Sequence, residues 1–118
     1  MEIKIFDAEY RFMCIVWDKE PITSPALVKL CSEEFGWKKS TTYSVIKRLS
    51  ERGALQNEKT IVTSLVSRLQ VLKYESEQIV EKTFDNSLPS FITAFLQDKK
   101  LTQVEADQII RMIEETTK

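Results

Sequence analysis

Residues 37–53 read WKKSTTYSVIKRLSERG, and their side chains suit one kind of chemistry, the binding of a polyanion. Taken as a helix, the stretch splits into two faces. Thr42, Val45, Ile46 and Leu49 follow the i, i+3, i+4, i+7 spacing of a core-facing stripe. Ser40, Ser44 and Lys47 fall opposite, flanked by Tyr43 and Arg48, while Lys38 and Lys39 stand at the entrance. From Lys38 to Arg52 there are five cations and one anion, Glu51. Small hydroxyls let a backbone come close, and cations neutralise phosphate, so this face suits the floor of a DNA major groove. Lysines at a helix start oppose the helix dipole unless an anion lies there to neutralise them.

No other constellation competes with this one. The chain has no histidine, which excludes catalysis by a His base, and no glycine-rich phosphate loop. Two distant cysteines, Cys14 and Cys31, cannot make a four-ligand zinc site; both read as small core residues. No metal or cofactor is expected. An enzyme using Ser/Lys or carboxylate chemistry ranks last, since nothing converges on a pocket. A charge run on a helix is more often a solvated face, and the net charge of −1 leans the same way. Its distribution does not. Residues 38–52 carry five cations less one anion, a net +4, which leaves −5 for the rest, and local field governs steering to DNA.

The elements around the basic stretch decide between the two readings. Gly53 closes the helix at its C′ position. Ala54–Asn57, a polar turn at Glu58-Lys59-Thr60 and Ile61–Leu65 then read as a short β-hairpin, with Lys59 placed to reach a phosphate. Upstream, Asp7 is expected to cap a helix running to about Trp17, with Phe12, Met13, Val16 and Trp17 on its apolar side; residues 1–4 are expected to be loose. Asp18–Pro21 reads as a turn, and Ile22 as a strand contact beside the hairpin. Thr23 or Ser24 caps a second helix, with Pro25 in its first turn, Leu27, Leu30, Cys31 and Phe35 inward, and Gly36 at its end. Trp37 is expected to pack between the helices. Helix, helix, basic helix, hairpin is the order of a winged helix-turn-helix.

At 118 residues, 42% of them hydrophobic and only two of them glycine, the chain is one small helical domain or a domain with a helical arm. We divide it into a winged-helix domain over 1–66 and a helical dimerisation domain over 67–118. Ser67–Gln70 and Thr102–Glu105 are capping boxes that each start a helix, and Asp85-Asn86-Ser87 breaks the chain between them. The first of these helices, reaching about Phe84, carries a stripe of Leu69, Leu72, Ser76, Ile79, Val80 and Thr83. The second carries Leu88, Phe91, Ile92, Phe95 and Leu96; the last carries Ile109, Ile110 and Ile113. That is more apolar surface than a small winged domain covers. An isologous homodimer, with Leu72, Ile79, Leu88, Phe91, Ile92, Phe95, Ile109 and Ile113 at its interface, buries it better than a closed extension. The fold class is therefore mainly α with a β-hairpin wing and a C-terminal helical dimerisation arm. No apolar run spans a membrane and no signal peptide opens the chain, which points to the cytoplasm.

Several clusters resemble the penicillinase-repressor family. They are Asp7-Ala8-Glu9-Tyr10 with Trp17, Pro21-Ile22-Thr23, Trp37-x-x-x-Thr41-x-Tyr43, and Lys47-Arg48-Leu49-x-x-x-Gly53-Ala54-Leu55. Leu65-Val66-Ser67 and Ser87-Leu88-Pro89-Ser90-Phe91 continue the match, which spans roughly residues 5–115. The resemblance implies a winged-helix repressor of the kind that controls β-lactamase, methicillin-resistance or copper-homeostasis genes, bound as a homodimer to palindromic operator DNA. A regulatory membrane protease enters as a partner through the resemblance alone. Three departures are visible. The wing is abbreviated, with one cation. The Asn-Phe pair cut in antibiotic-responsive members is matched by Ala94-Phe95. The tail Glu114–Lys118 has no cysteine, which rules out copper sensing by a C-terminal cysteine cluster.

Under this reading Ser40, Thr41, Tyr43 and Ser44 reach base edges or nearby phosphates, and Lys47 and Arg48 bind guanine or phosphate. Lys38 and Lys39 hold the backbone without reading sequence. The rival is a winged-helix protein-interaction adaptor that binds no DNA, which the acidic chain and short wing favour and the clustered cations oppose.

Overall fold

The computed structural model describes residues 4–117 and is mainly helical with one small antiparallel sheet. In chain order the elements are α1 (Asp7–Lys19), β1 (Ile22–Thr23), α2 (Ser24–Phe35), α3 (Lys39–Glu51), β2 (Leu55–Glu58), β3 (Ile61–Ser64), α4 (Arg68–Thr83), α5 (Leu88–Leu96) and α6 (Gln103–Thr116). The sheet order is β1-β3-β2, with Ile22 opposite Val62 and Leu55 opposite Ser64. This is the winged helix-turn-helix that the order of sequence signals predicts. The chain divides into two compact units, one ending at Ile79 and one beginning at Val80, so the division falls within α4. Among the described residues no helix is long and apolar enough to cross a membrane.

The first unit is built around Phe12, Met13 and Val16 of α1, Leu27 and Cys31 of α2, and Val45, Ile46 and Leu49 of α3. Ala54, Leu55 and Val62 of the hairpin segment, with Val66 and Val71 beyond it and Ile5 ahead of α1, complete that core. Each large side chain so buried contributes about 1.5–3 kcal/mol. Trp37, in the turn between α2 and α3, lies nearly parallel to Phe12 (ring centroids 6.1 Å apart) and 4.9 Å from Phe35, so it fixes the angle at which α3 leaves α2. Gly36 makes that turn possible: its φ of +69° is left-handed, and its amide and that of Trp37 bond back to Ser32 and Cys31. Thr23 caps α2 by accepting the Ala26 N–H.

Two expectations change. Phe6, not Asp7, occupies the N-cap of α1. The backbone at Phe6 is extended, and the Glu9 carboxylate three residues on accepts its N–H at 3.0 Å, so Asp7 falls inside the first turn. The helix also runs to Lys19, and Asp18 and Lys19 belong to it rather than to a turn. In residues 1–4, expected to be loose, 1–3 lie outside the described residues.

The far end of α1 is fastened to the hairpin's exit. Ser64 donates from its amide and hydroxyl to Glu20, and the Trp17 indole donates to the Val66 carbonyl at 2.9 Å. Arg68 lies over the Trp17 ring and bonds Asp18. The box predicted at Ser67 and Gln70 forms in both directions. The residue that α4 sends into the core is Val71, which the sequence reading passed over; the stripe of Leu69, Leu72 and Ile79 is exposed.

The second unit holds the end of α4, α5 and α6. Asp85 and Asn86 adopt positive φ and reverse the chain, Ser87 caps α5 through the Ser90 amide, and Thr102 and Glu105 form the predicted box on α6. Phe84 and Phe91 meet edge to face at 5.4 Å.

Candidate nucleic-acid interface

The predicted recognition surface comes together on α3. The helix turns Thr42, Val45, Ile46 and Leu49 inward, as the spacing requires. Lys38, Lys39, Ser40, Thr41, Ser44, Lys47 and Arg48 are exposed. Tyr43 is half-buried and packs against the core. Lys38 occupies the N-cap of α3 without a side-chain cap, and no acidic residue lies in the first turn. The opening amides of the helix, its positive dipole end and two lysines therefore share one spot, an arrangement suited to a phosphate oxygen. Lys59 sits at the tip of the wing, in a two-residue turn where both Lys59 and Thr60 have positive φ.

One part of the site was not foreseen. Glu9 is almost fully buried, yet it is charged, and it lies where α1 meets the end of α3. Its carboxylate accepts from the Phe6 amide, from Nη2 of Arg52, and from Nε of Arg48 at 3.4 Å. Arg52 also donates to the Lys4 carbonyl at 2.6 Å and stacks beside the Phe6 ring. Burial alone pushes the Glu9 carboxyl up. The Phe6 amide and the two guanidiniums outweigh it, so the group titrates below its ordinary range. A signal was present in the sequence: Glu9, Phe12, Met13 and Val16 have the spacing of one core stripe, and a carboxylate on such a stripe demands a cation.

The residues expected at a dimer interface lie on α4, α5 and α6. Leu72, Ile79, Leu88, Ile92, Phe95, Ile109 and Ile113 are exposed in the single chain, and Phe91 is half-buried.

The family profile described as Penicillinase repressor matches residues 5–115. The chain belongs to the penicillinase repressor family. That family consists of transcriptional repressors and not enzymes. Among relatives, this penicillinase-repressor chain is 23% identical to the penicillinase repressor of Bacillus licheniformis, the alignment covering 95% of this chain and 91% of the relative. It is likewise 23% identical to the methicillin resistance regulatory protein MecI of Staphylococcus aureus, over 90% of this chain and 89% of that one. A solution structure of the monomeric form of the Bacillus licheniformis repressor BlaI, in complex with the blaP half-operator, is similar with a TM-score of 0.51 at 25% identity. The match covers 58% of this chain and 88% of that one.

Proposed function

We propose that the chain is a DNA-binding transcriptional repressor that works as a homodimer on a two-fold-symmetric operator. In this reading α3 lies in the major groove. Lys38, Lys39 and the opening amides of α3 hold a phosphate, while Ser40, Thr41, Ser44, Lys47 and Arg48 face base edges and Tyr43 contributes its hydroxyl. Lys59 on the wing meets the flanking backbone. The two half-sites lie about 34–36 Å apart, or a multiple of that, and repression follows from occupying a promoter that polymerase needs. Such work places the protein in the cytoplasm. A regulatory protease would need a cleavage site other than an Asn-Phe pair, because α5 carries Ala94-Phe95 there.

The observation that supports this reading is the exposed face of α3, in which cations and small hydroxyls surround an uncapped helix start. Titration of a labelled random duplex at about 50 mM and about 200 mM salt tests it. The wild-type chain is expected to bind with an affinity that falls steeply with salt. The triple variant Lys38→Ala, Lys39→Ala, Lys59→Ala is expected to lower the log–log slope by about 2–3, at roughly 0.9 per lost phosphate contact. A wild-type chain that binds no duplex at low salt, or an unchanged slope in the variant, overturns the proposal.

A further inference from the structure

The two arginines that share Glu9 are used differently. Arg52 has all three guanidinium nitrogens engaged: Nε with the Arg48 carbonyl at 3.4 Å, Nη1 with the Lys4 carbonyl and Nη2 with Glu9. Arg48 meets Glu9 only through Nε, and among the described residues neither of its Nη nitrogens is hydrogen-bonded. Its side chain is 56% exposed, against 5% for Glu9. One arginine neutralises a buried carboxylate. The second is held by its flank, and the outer Nη1–Nη2 edge is the fork that fits the O6 and N7 acceptors of guanine.

We propose that Glu9 is a positioning residue for sequence recognition: by holding Nε of Arg48 it aims the free guanidinium edge outward for a bidentate base contact, and by occupying Arg52 it withholds that cation from the phosphates. Arg48 is a long side chain with many rotamers, and tethering its Nε removes part of that freedom before DNA arrives. Arg52 kept inside lowers the sequence-independent part of binding, which sharpens the contrast between the right site and any other. Glu9 touches no DNA in this scheme and acts through the two arginines. The inference rests on the DNA-binding reading above.

The test starts with selection of a preferred duplex by the wild-type chain from a random pool. Wild type, Glu9→Gln, Arg48→Ala and the double variant are then titrated against the selected and a random duplex over a salt series, with thermal melts to check that each is folded. Glu9→Gln is expected to cut the ratio of selected to random affinity by about five-fold or more, a part of what a bidentate contact is worth. On random duplex it is expected to steepen the salt slope by up to about 0.9, as Arg52 is released. Arg48→Ala lowers the same ratio, and the double variant falls no further than about two-fold below Arg48→Ala alone. A Glu9→Gln ratio within about two-fold of wild type, or losses that multiply in the double variant, defeats the positioning role while leaving DNA binding intact. Nitrogen-15 spectra of the wild-type chain give a reading that needs no variant. An Arg48 Nε–H resonance protected from exchange supports the tether, and one exchanging like a free arginine overturns it. A wild-type chain that binds neither duplex removes the parent reading, and this one with it.

Discussion

A carboxylate on the core side of α1 is tolerated only while its donors stay in place, and this makes Glu9 a stability determinant as well. Because the folded carboxyl titrates below its ordinary range, its contribution is present above the unfolded value of about 4.3 and is lost as pH falls through the lowered folded value. Glu9→Gln is therefore expected to destabilise the fold by about 1–3 kcal/mol near neutral pH, a figure moderated by the exposure of Arg48. The gap to wild type should shrink at about pH 3, below the unfolded value, where the unfolded carboxyl already takes up its proton. Denaturant unfolding of the two proteins at the two pH values checks this; a gap that does not change with pH would refute the charge-based account. At this scale the sequence was readable wherever the chemistry is local. Lys38, Lys39, Ser40, Ser44 and Lys47 share one helical face, and their spacing alone puts them there. The Glu9 contacts were not readable in the same way, because Arg48 and Arg52 lie 39 and 43 residues away in the chain. The spacing of Glu9 marks it as needing a cation without saying which.

Among the elements, the starts and stops of the helices were the most legible, because each is set by side chains within four residues. Thr23, Ser67 and Thr102 cap where their spacing says they should, Ser87 at the predicted break proves to cap α5, and Gly36 and Gly53 supply the left-handed turns. The entry to α1 was missed because Phe6 has no capping group of its own, so the signal lay entirely in Glu9. Val71 was missed because α4 has two apolar faces, and periodicity cannot say which one meets the first unit. The wing offers a prediction of its own. Its two-residue turn places Lys59 at φ 52° and the β-branched Thr60 at φ 65°. That conformation matches the twist of a hairpin but is unfavourable for a β-branched residue. Thr60→Gly relieves the strain at some cost in unfolded-chain entropy, and a net gain of about 0.5–1 kcal/mol is expected. The Thr60 carbonyl still accepts the Ser24 amide at 2.8 Å, so the wing keeps its attachment to α2. A thermal midpoint that stays put or falls would show that the turn is not strained.

For the whole molecule, the sequence made the winged unit legible because its core closes within one chain, and left the C-terminal helices open because α5 and α6 have no buried residue in the single chain. Phe95 is 52% exposed and Ile113 55% exposed, with Ile109 one turn before it on α6. Exposure of this kind along successive helices is costly in water, and a second copy is the partner that the proposed two-fold operator calls for. The proposed dimer therefore has a definite consequence for a charge placed on that face. In a lone chain, Ile109→Glu together with Ile113→Glu would put two carboxylates on an already exposed helix surface and cost little. Across a dimer interface the same change buries them unpaired, a penalty of several kcal/mol. Sedimentation equilibrium at micromolar concentration is expected to show wild type as a dimer and the double variant as a monomer. The melting of the winged unit, whose core the two residues do not enter, should be preserved. Binding to a selected two-fold duplex should then fall by about ten-fold or more, because each half-site must be filled independently, while binding to a single half-site stays as it was. A wild-type chain that sediments as a monomer, or a variant that remains a dimer, would remove these helices from the assembly and require another surface to bring two recognition helices into register.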